Sequence, residues 1–462
     1  MLGVSASFRE LVARAVGAEH VRDDEQSRAA YAADALGQGH LPDLVVLPRT
    51  TVEIAQLARL CTEHRVPLVV RGAGTGYTGG AVPTQGGVVV SLERMNRILE
   101  IDEVNLLAVV EPNVINADLQ RAVERVGLFY PPDPASLESS SIGGNVAECA
   151  GGPRAFKYGT TKRYVLALEA VLPTGQIVRT GSKAVKNVVG YDLTQLLVGS
   201  EGTLAIITEV TLRLIPKPPV RATLAAAFEN VRQAVDAVTG LITRRVVPAA
   251  IELIDDNSLR AVEAHIGRTI VPAGSAAMVI VECDGVQAAV DEETRLVEAA
   301  CLEAGATDIR RAVTEAARED VWGVRRQLSL ALRATGLLKI NHDVVVPRGR
   351  VPQLLDVVGA LAREYGLRVA SFGHAGDGNI HVNFMVNKED ADELKRARKA
   401  ERDLFERVVG LEGSISGEHG IGFAKAAYLP LELSAEEIAL MKRVKAAFDP
   451  AGVLNPGKIF PG

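Results

Sequence analysis

Four cysteines in 462 residues, at positions 61, 149, 283 and 301, leave no C-x-x-C spacing. That excludes zinc ribbons, cysteine-ligated iron–sulfur clusters and a disulfide framework, and it fits a reducing compartment. Positive charge is short as well: 51 lysines and arginines face 57 acidic residues, for a net charge of -6. A nucleic-acid role gains no support from that balance. There is no run of 18 apolar residues, so no transmembrane helix is expected. The opening stretch Met1–Gln26 carries charges throughout, reads as an amphipathic helix, and lacks an apolar h-region and a cleavage signature. A cytoplasmic location, at most peripheral to a membrane, is therefore expected. Also missing are a fixed-period repeat, a low-complexity tract and a G-x-x-x-x-G-K-[ST] phosphate loop. What remains is 47% hydrophobic and 23% charged, the composition of a soluble enzyme of two or three domains.

The residues that stand out are glycines. Val66-Pro67-Leu68-Val69-Val70 feeds directly into a loop holding Gly72, Gly74, Gly76, Gly79 and Gly80. Glycine reaches left-handed conformations, so successive N–H groups can turn toward one anion, the chemistry of a pyrophosphate cradle. Gly74 to Gly79 spells G-x-G-x-x-G after a strand, and Glu93 follows 19 residues beyond Gly74, as in a Rossmann dinucleotide site. A Rossmann loop must open a helix. Here Gly79 is followed by Gly-Ala-Val-Pro-Thr-Gln-Gly-Gly and then the strand Val88–Leu92. No crossover helix fits, and the Rossmann reading fails. A cluster that only makes tight turns would look the same, so later motifs must decide.

Around this loop strands and helices alternate: a strand over Asp43–Pro48, a helix over Val52–Arg65 capped by Thr50 or Thr51, strands in VVVSL and LLAVVEPN, and a helix over Ala117–Gly127. A second glycine-rich stretch, Tyr130–Thr161, shows no clear period, which inside a compact domain suggests a loop that serves a site. A hairpin over Leu166–Thr180 turns at Thr174-Gly175, a long strand covers Leu204–Leu214, and Ile215–Pro219 breaks all regularity. The chain is thus expected to divide into a helical segment (1–40), a first domain (41–219) and a second (220–462). In the second, strand–helix alternation from Arg221 suggests a ferredoxin-like α+β fold. The sole tryptophan, Trp322, shares a helix with Arg325 and Arg326, and the following strand is expected to end at Lys339–Asp343. A helix over Ser434–Phe448 comes last.

Three of the eight histidines lie in glycine-rich surroundings near the C-terminus. His381 and Asn383 share one face of a strand by the period-two rule. Asp377-Gly378 signals a turn that would bring His374 back beside His381. Glu418 and His419 offer a carboxylate and a third imidazole. Two imidazoles and a carboxylate can hold a divalent metal acting as a Lewis acid, with His419 left to act as a base. From spacing alone, a metallohydrolase explains this half of the chain equally well.

In combination, these motifs are identifiable. RGAGTGYTGGA, the PPDP and SSIGGNVAECAGG stretch, VKNVVGYDLTQLLVGSEGTLAIIT, GHAGDGNIHVN, GEHGIG and FDPAGVLNPGK occur in this order. The chain resembles, over nearly its whole length, the FAD-linked 2-hydroxy-acid dehydrogenases: glycolate oxidase flavoprotein subunits, D-lactate dehydrogenases and D-2-hydroxyglutarate dehydrogenases. The resemblance implies an α+β fold, with a two-subdomain FAD-binding domain of the vanillyl-alcohol-oxidase type, a ferredoxin-like cap and C-terminal helices. It implies that Gly72, Ala73, Gly74, Thr75, Gly76, Thr78 and Gly79 wrap the FAD pyrophosphate. Pro132, Asp133, Ser141, Ile142, Gly143, Gly144, Asn145, Gly151, Gly152 and Gly159 would line the rest. Glu201, Gly202, Ile206 and Ile207 would lie toward the adenine and ribitol end, with Asn455 approaching the ring. The first loop holds no histidine, so FAD would be non-covalent. Two departures stand out: Cys149 where many relatives carry asparagine, and Tyr77-Thr78 in place of a more usual Leu-Ser pair.

The resemblance also implies zinc-type ligation by His374, His381 and Glu418, with Asn383 beside the substrate and His419 as base. Arg325 would pair with the substrate carboxylate, a bidentate task suited to guanidinium, and Lys339 would assist it. The implied reaction is oxidation of glycolate or a D-2-hydroxy acid to the 2-keto acid, with hydride passing to flavin N5. Lacking iron–sulfur ligands, the chain would hand electrons to a partner protein, a quinone or O₂. The expected partners are iron–sulfur and second flavoprotein-like subunits of a glycolate oxidase complex, and a second copy of the chain in a homodimer. A non-catalytic subunit with this fold would keep the glycine loops and lose the histidine cluster.

Overall fold

The computed structural model describes residues 4–460; Met1-Leu2-Gly3 of the N-terminal segment lie outside the described residues. The chain forms two compact units. The first comprises the residues up to Gly151, Thr160–Lys217 and those from Glu418 on; the second comprises Gly152–Gly159 and Pro218–Gly417.

In the first unit, Leu44–Val46, Val88–Ser91 and Leu68–Arg71 lie side by side as parallel strands, with Val21–Arg22 antiparallel at the edge. The first helix, Ala6–Val16, is capped by Ser5 and buries Phe8, Val12 and Val16. Thr50, the first of the two expected caps, accepts from the Glu53 N–H and starts the helix Thr51–His64, which buries Ile54, Leu57, Ala58 and Cys61. These side chains share one core with the strands and with Val171 and Ile206 of a second, antiparallel sheet. That sheet runs Ile98–Asp102, Leu107–Val110, Ile206–Arg213, Val165–Val171, Ile177–Gly181. Strand Ile98–Asp102 has no counterpart in the sequence reading; Glu100 and Asp102 interrupt its apolar residues and none of the five is fully buried, so its apolar signal is weak. The aperiodic stretch Tyr130–Thr161 contains two short helices, Ile142–Glu148 and Ala155–Tyr158, too brief to show a period.

No helix separates Leu68–Arg71 from Val88–Ser91, yet the two strands pair in parallel, Leu68 opposite Val88. The glycine loop is itself the crossover, which is why the helix-opening geometry of a Rossmann turn is absent.

The second unit is built on a seven-stranded antiparallel sheet. Its first four strands, Val220–Phe228, Ala250–Asp255, Ala277–Gly285 and Asp308–Ala312, lie in the order four–one–three–two, the ferredoxin-like arrangement. Arg368–His374, Asn379–Val386 and Leu338–Val345 extend it beyond Ala250–Asp255. Helices Asp256–Ile266 and Glu315–Ala334 cover one face, where Leu259, Val262, Val321, Val324 and Leu328 pack on Ile254, Met278, Ile280 and Phe372. The strand carrying Lys339 corrects the sequence reading. Lys339 lies near its start, not in its final residues, because Leu338–Val345 pairs residue for residue with Asn379–Val386.

Candidate functional site

The chemistry-bearing residues fall into two sets, one in each unit. In the first, the glycine loop is braced by segments from the far end of the chain. Gly79 has φ +82°, and a Cβ there would lie 2.0 Å from the Phe423 ring. Phe423 and Ala424 donate their N–H groups to the Thr78 carbonyl at 3.1 and 3.2 Å. A Cβ on Gly422 would lie 2.0 Å from that same carbonyl oxygen, so the glycines of GEHGIG permit close backbone approach. Leu454 bridges in parallel to Leu68, and the Asn455 N–H donates to the Leu68 carbonyl at 2.7 Å. The Asn455 amide donates to the carbonyls of Gly80 and Glu201 at 2.9 and 2.8 Å.

Gly72 lies against Ser141, where a Cβ would sit 2.3 Å from the hydroxyl oxygen. Ser141 caps the helix Ile142–Glu148 by accepting from the Gly144 N–H. Gly143 is pressed on Pro112, with 2.6 Å between its would-be Cβ and that of the proline. Cys149 ends the helix at φ +54°, a left-handed position that asparagine adopts more readily than cysteine. The Pro132 carbonyl accepts from Gln120 at 2.9 Å, and Asp133 is buried. Ile206 and Ile207 are buried within the antiparallel sheet. Gly202 follows Glu201 with φ +64°. The sequence reading grouped Gly152 and Gly159 with this set. Gly152–Gly159 belongs to the second unit, where Lys157 and Tyr158 bond Asp284 at 2.5 and 2.7 Å.

Two features of this loop region fit a bound FAD. Five of the nine residues from Gly72 to Gly80 are glycines that expose their backbone, and two buried amide atoms beside the loop, Nδ2 of Asn145 and Oδ1 of Asn455, have no protein partner. An unmet buried amide costs about 1–3 kcal/mol, so ligand atoms are the natural complement.

Sequence reasoning passed over Glu148. The residue is half-buried with its Oε2 closed off from solvent, and a Cβ on Gly80 or Gly420 would touch its carboxylate. Burial, with the charges of Glu201 and Asp34, pushes its carboxyl well above the usual range. Glu201 is also raised by burial, against the opposing pull of the Ile421 and Gly422 N–H groups that bond it at 2.8 and 2.7 Å. His419 belongs to this unit. Its ring stacks on Tyr77 at 5.2 Å and 23°, and its carbonyl accepts from the Thr78 hydroxyl at 3.1 Å. Glu418 lies beside Gly151, whose Cβ would sit 2.7 Å from the carboxylate. Glu418 and His419 can offer ligand atoms within 4.8 Å of one another.

Gly79→Ala should therefore lower stability by about 1–3 kcal/mol in denaturant unfolding, from strain and the clash with Phe423. Gly127→Ala is the control. It has φ +76° with open space around it and should show only the strain component.

In the second unit, the turn at Asp377-Gly378 folds Arg368–His374 onto Asn379–Val386 as expected. His374 and His381 meet edge to face with centroids 5.3 Å apart, both buried. Each stands directly opposite a buried carboxylate across the ladder, His374 opposite Glu252 and His381 opposite Asp343. His374 Nδ1 lies 2.5 Å from Glu252 Oε1, while His381 Nδ1 is 3.6 Å from Asp343 Oδ1. Asp343 accepts from the Asn379 amide at 2.7 Å and the Gly417 N–H at 2.9 Å. Asp343 and His381 can offer ligand atoms within 4.8 Å of one another. Two imidazoles with nearby carboxylates are a donor set suited to a divalent cation.

Arg325 is buried, bonds the second oxygen of Glu252 through Nε, and lies 4.8 Å over the Phe372 ring. Burial works to raise the Glu252 carboxyl, but Arg325 and the hydrogen-bonded His374 beside it outweigh this and hold it at about 2. Lys339 donates to the Ser329 hydroxyl at 2.6 Å, and burial, with Arg333 and Arg325 nearby, pushes it down to about 8. The Asn383 side chain is fully buried; it donates to the carbonyls of Ala370 and His381 at 3.0 Å and accepts from Asn341 at 2.8 Å. It is engaged in holding the hairpin.

Two protein families match this chain. The family described as FAD binding domain matches residues 42–181, and FAD linked oxidases, C-terminal domain, matches residues 217–459. A "Glycolate oxidase subunit GlcD" of Bacillus subtilis is 43% identical over 99% of this chain and 97% of the relative. A "D-lactate dehydrogenase" of Anaerostipes hadrus is 38% identical over 90% of this chain and 89% of its own length. The structure of 4-ethylphenol oxidase from Gulosibacter chungangensis superposes with a TM-score of 0.80 at 20% identity, covering 99% of this chain and 98% of that one. At that identity the likeness concerns the fold, which is of the vanillyl-alcohol-oxidase type.

Proposed function

This chain belongs to the FAD-linked oxidases, and from that premise we propose that it is an FAD-dependent dehydrogenase that oxidises glycolate or a small D-2-hydroxy acid to the 2-keto acid. The single observation that carries the reading is the buried pair His374–His381, joined through Glu252 to Arg325 of the helix Glu315–Ala334, in a chain that also holds the braced glycine loop. A metallohydrolase would have no use for that loop, and a non-catalytic subunit none for the histidines.

Gly72–Gly80, Ser141, Asn145 and Asn455 would hold FAD, which when bound supplies the hydride acceptor at N5. His374, His381 and Glu418 would hold a zinc-type cation, which lowers the pKa of a ligated hydroxyl. Arg325 orients the substrate carboxylate: its Nε is engaged by Glu252, and a guanidinium carries further N–H donors on its other nitrogens. His419 accepts the hydroxyl proton at a ring nitrogen. Its stack on Tyr77 holds the ring, and the Thr78 contact holds its backbone.

Lys339 adds a pH signature. With its ammonium lowered to about 8, it is cationic below that value and neutral above it. KM for a carboxylate substrate should rise as pH passes through about 8, and Lys339→Met should flatten that limb.

The name "subunit" carried by the Bacillus relative supports a multi-subunit enzyme, in which an iron–sulfur partner would take the electrons. No helix among the described residues is long and apolar enough to cross a membrane.

The test is the visible spectrum of the purified protein, recorded anaerobically with glycolate, D-lactate or D-2-hydroxyglutarate. Flavin bands should bleach with one of these acids and should not bleach after chelation. Protein that cannot be reconstituted with FAD would overturn the assignment of the loop. Flavin that never bleaches would overturn the substrate class.

A further inference from the structure

Glu252 links the candidate metal ligand His374 to the candidate carboxylate clamp Arg325 through both of its oxygens, and no motif of the sequence pointed to it. It lies in the middle of Ala250–Asp255, with none of its surface exposed, between Ile280 on one neighbouring strand and His374 on the other. One carboxylate oxygen meets His374 Nδ1 at 2.5 Å, and the other meets Arg325 Nε. Stability alone gives no reason for a carboxylate here. Replacing a buried ion pair by apolar residues of similar volume is often neutral or stabilising.

The geometry does give a reason. A carboxylate only accepts, so Nδ1 of His374 must carry the proton that it faces, and Nε2 is left as the lone-pair nitrogen. Outer carboxylates of this kind fix the tautomer and ring orientation of metal-binding imidazoles. His381 differs, because its in-register partner Asp343 stands at 3.6 Å and is engaged by Asn379 and Gly417.

We propose that Glu252 is a positioning residue that locks His374 into the tautomer presenting Nε2 to a divalent cation and, through its second oxygen, holds Arg325 at the same centre. The inference rests on the reading of His374 as a metal ligand.

The test is Glu252→Gln in the full-length FAD-loaded protein, with Zn²⁺ affinity measured by chelator competition and with unfolding temperature and flavin content as controls. Glutamine keeps the shape but can turn an N–H toward Nδ1, which moves the imidazole proton to Nε2. Zinc affinity should then fall about 10–100-fold, and KM for the hydroxy acid should rise while flavin content holds. Unchanged zinc affinity in folded E252Q would overturn the proposal. If His381→Ala loses zinc in the same assay, the metal reading survives that failure. Wild-type protein that takes up no zinc overturns both. Should E252Q not fold, Glu252→Asp keeps the charge but is one methylene too short to reach both partners. A drop in its zinc affinity supports the proposal, and wild-type affinity overturns it.

Discussion

His419→Gln should lower kcat for 2-hydroxy-acid oxidation by about 10²–10⁴-fold, the usual worth of a positioned general base, with flavin content unchanged. The expectation of unchanged flavin comes from how the segment is held. Its anchors are backbone: the His419 carbonyl accepts from Thr78, the Ile421 and Gly422 N–H groups bond Glu201, and the Phe423 N–H bonds the Thr78 carbonyl. The imidazole contributes a stack on Tyr77, which a glutamine amide can partly replace. Removing the ring therefore removes a proton acceptor and leaves the loop closed. Single-turnover flavin reduction is the measurement to make, because it isolates the step from any later transfer of electrons. Wild-type reduction in H419Q would remove His419 from the chemistry.

Arg325→Met should be the most destabilising substitution in the second unit, at about 3–5 kcal/mol. Glu252 would be left as a buried carboxylate with only His374 beside it, and the loss of a partner inside the protein costs more than the pair contributes. Arg325→Met/Glu252→Gln should recover much of that loss, since both ends of the pair are then neutral, while substrate affinity stays poor because the carboxylate clamp is gone. Urea unfolding of the two single variants and the double variant gives the coupling directly. Additive effects would show that the two residues do not share an energy.

Much of the candidate site was legible from one-dimensional pattern because its parts are local. A turn at Asp377-Gly378 and period-two alternation are enough to bring His374 and His381 together, and they meet at 5.3 Å. Asn383 illustrates the limit of such reasoning. Its position on the strand was readable, but its engagement with Ala370 and Asn341 depends on two other strands. Glu252 left one faint signal, a charged residue in the apolar run Ala-Ala-Ile-Glu-Leu-Ile, where a fully buried glutamate needs a partner. That partner lies 122 residues away.

Local pattern was enough for the two fold types, the non-Rossmann character of the first glycine loop and the identity of its chemistry-bearing motifs, because glycine, proline and apolar periodicity act through neighbours a few residues apart. Long-range packing was needed to show that GEHGIG closes against the glycine loop, with Thr78 and His419 bonded across 341 positions, and that Lys157 and Tyr158 bond Asp284. It alone placed Glu252 between His374 and Arg325. Those contacts are made by sheet register and buried charge, which depend on which strands lie side by side, and no local pattern encodes that order.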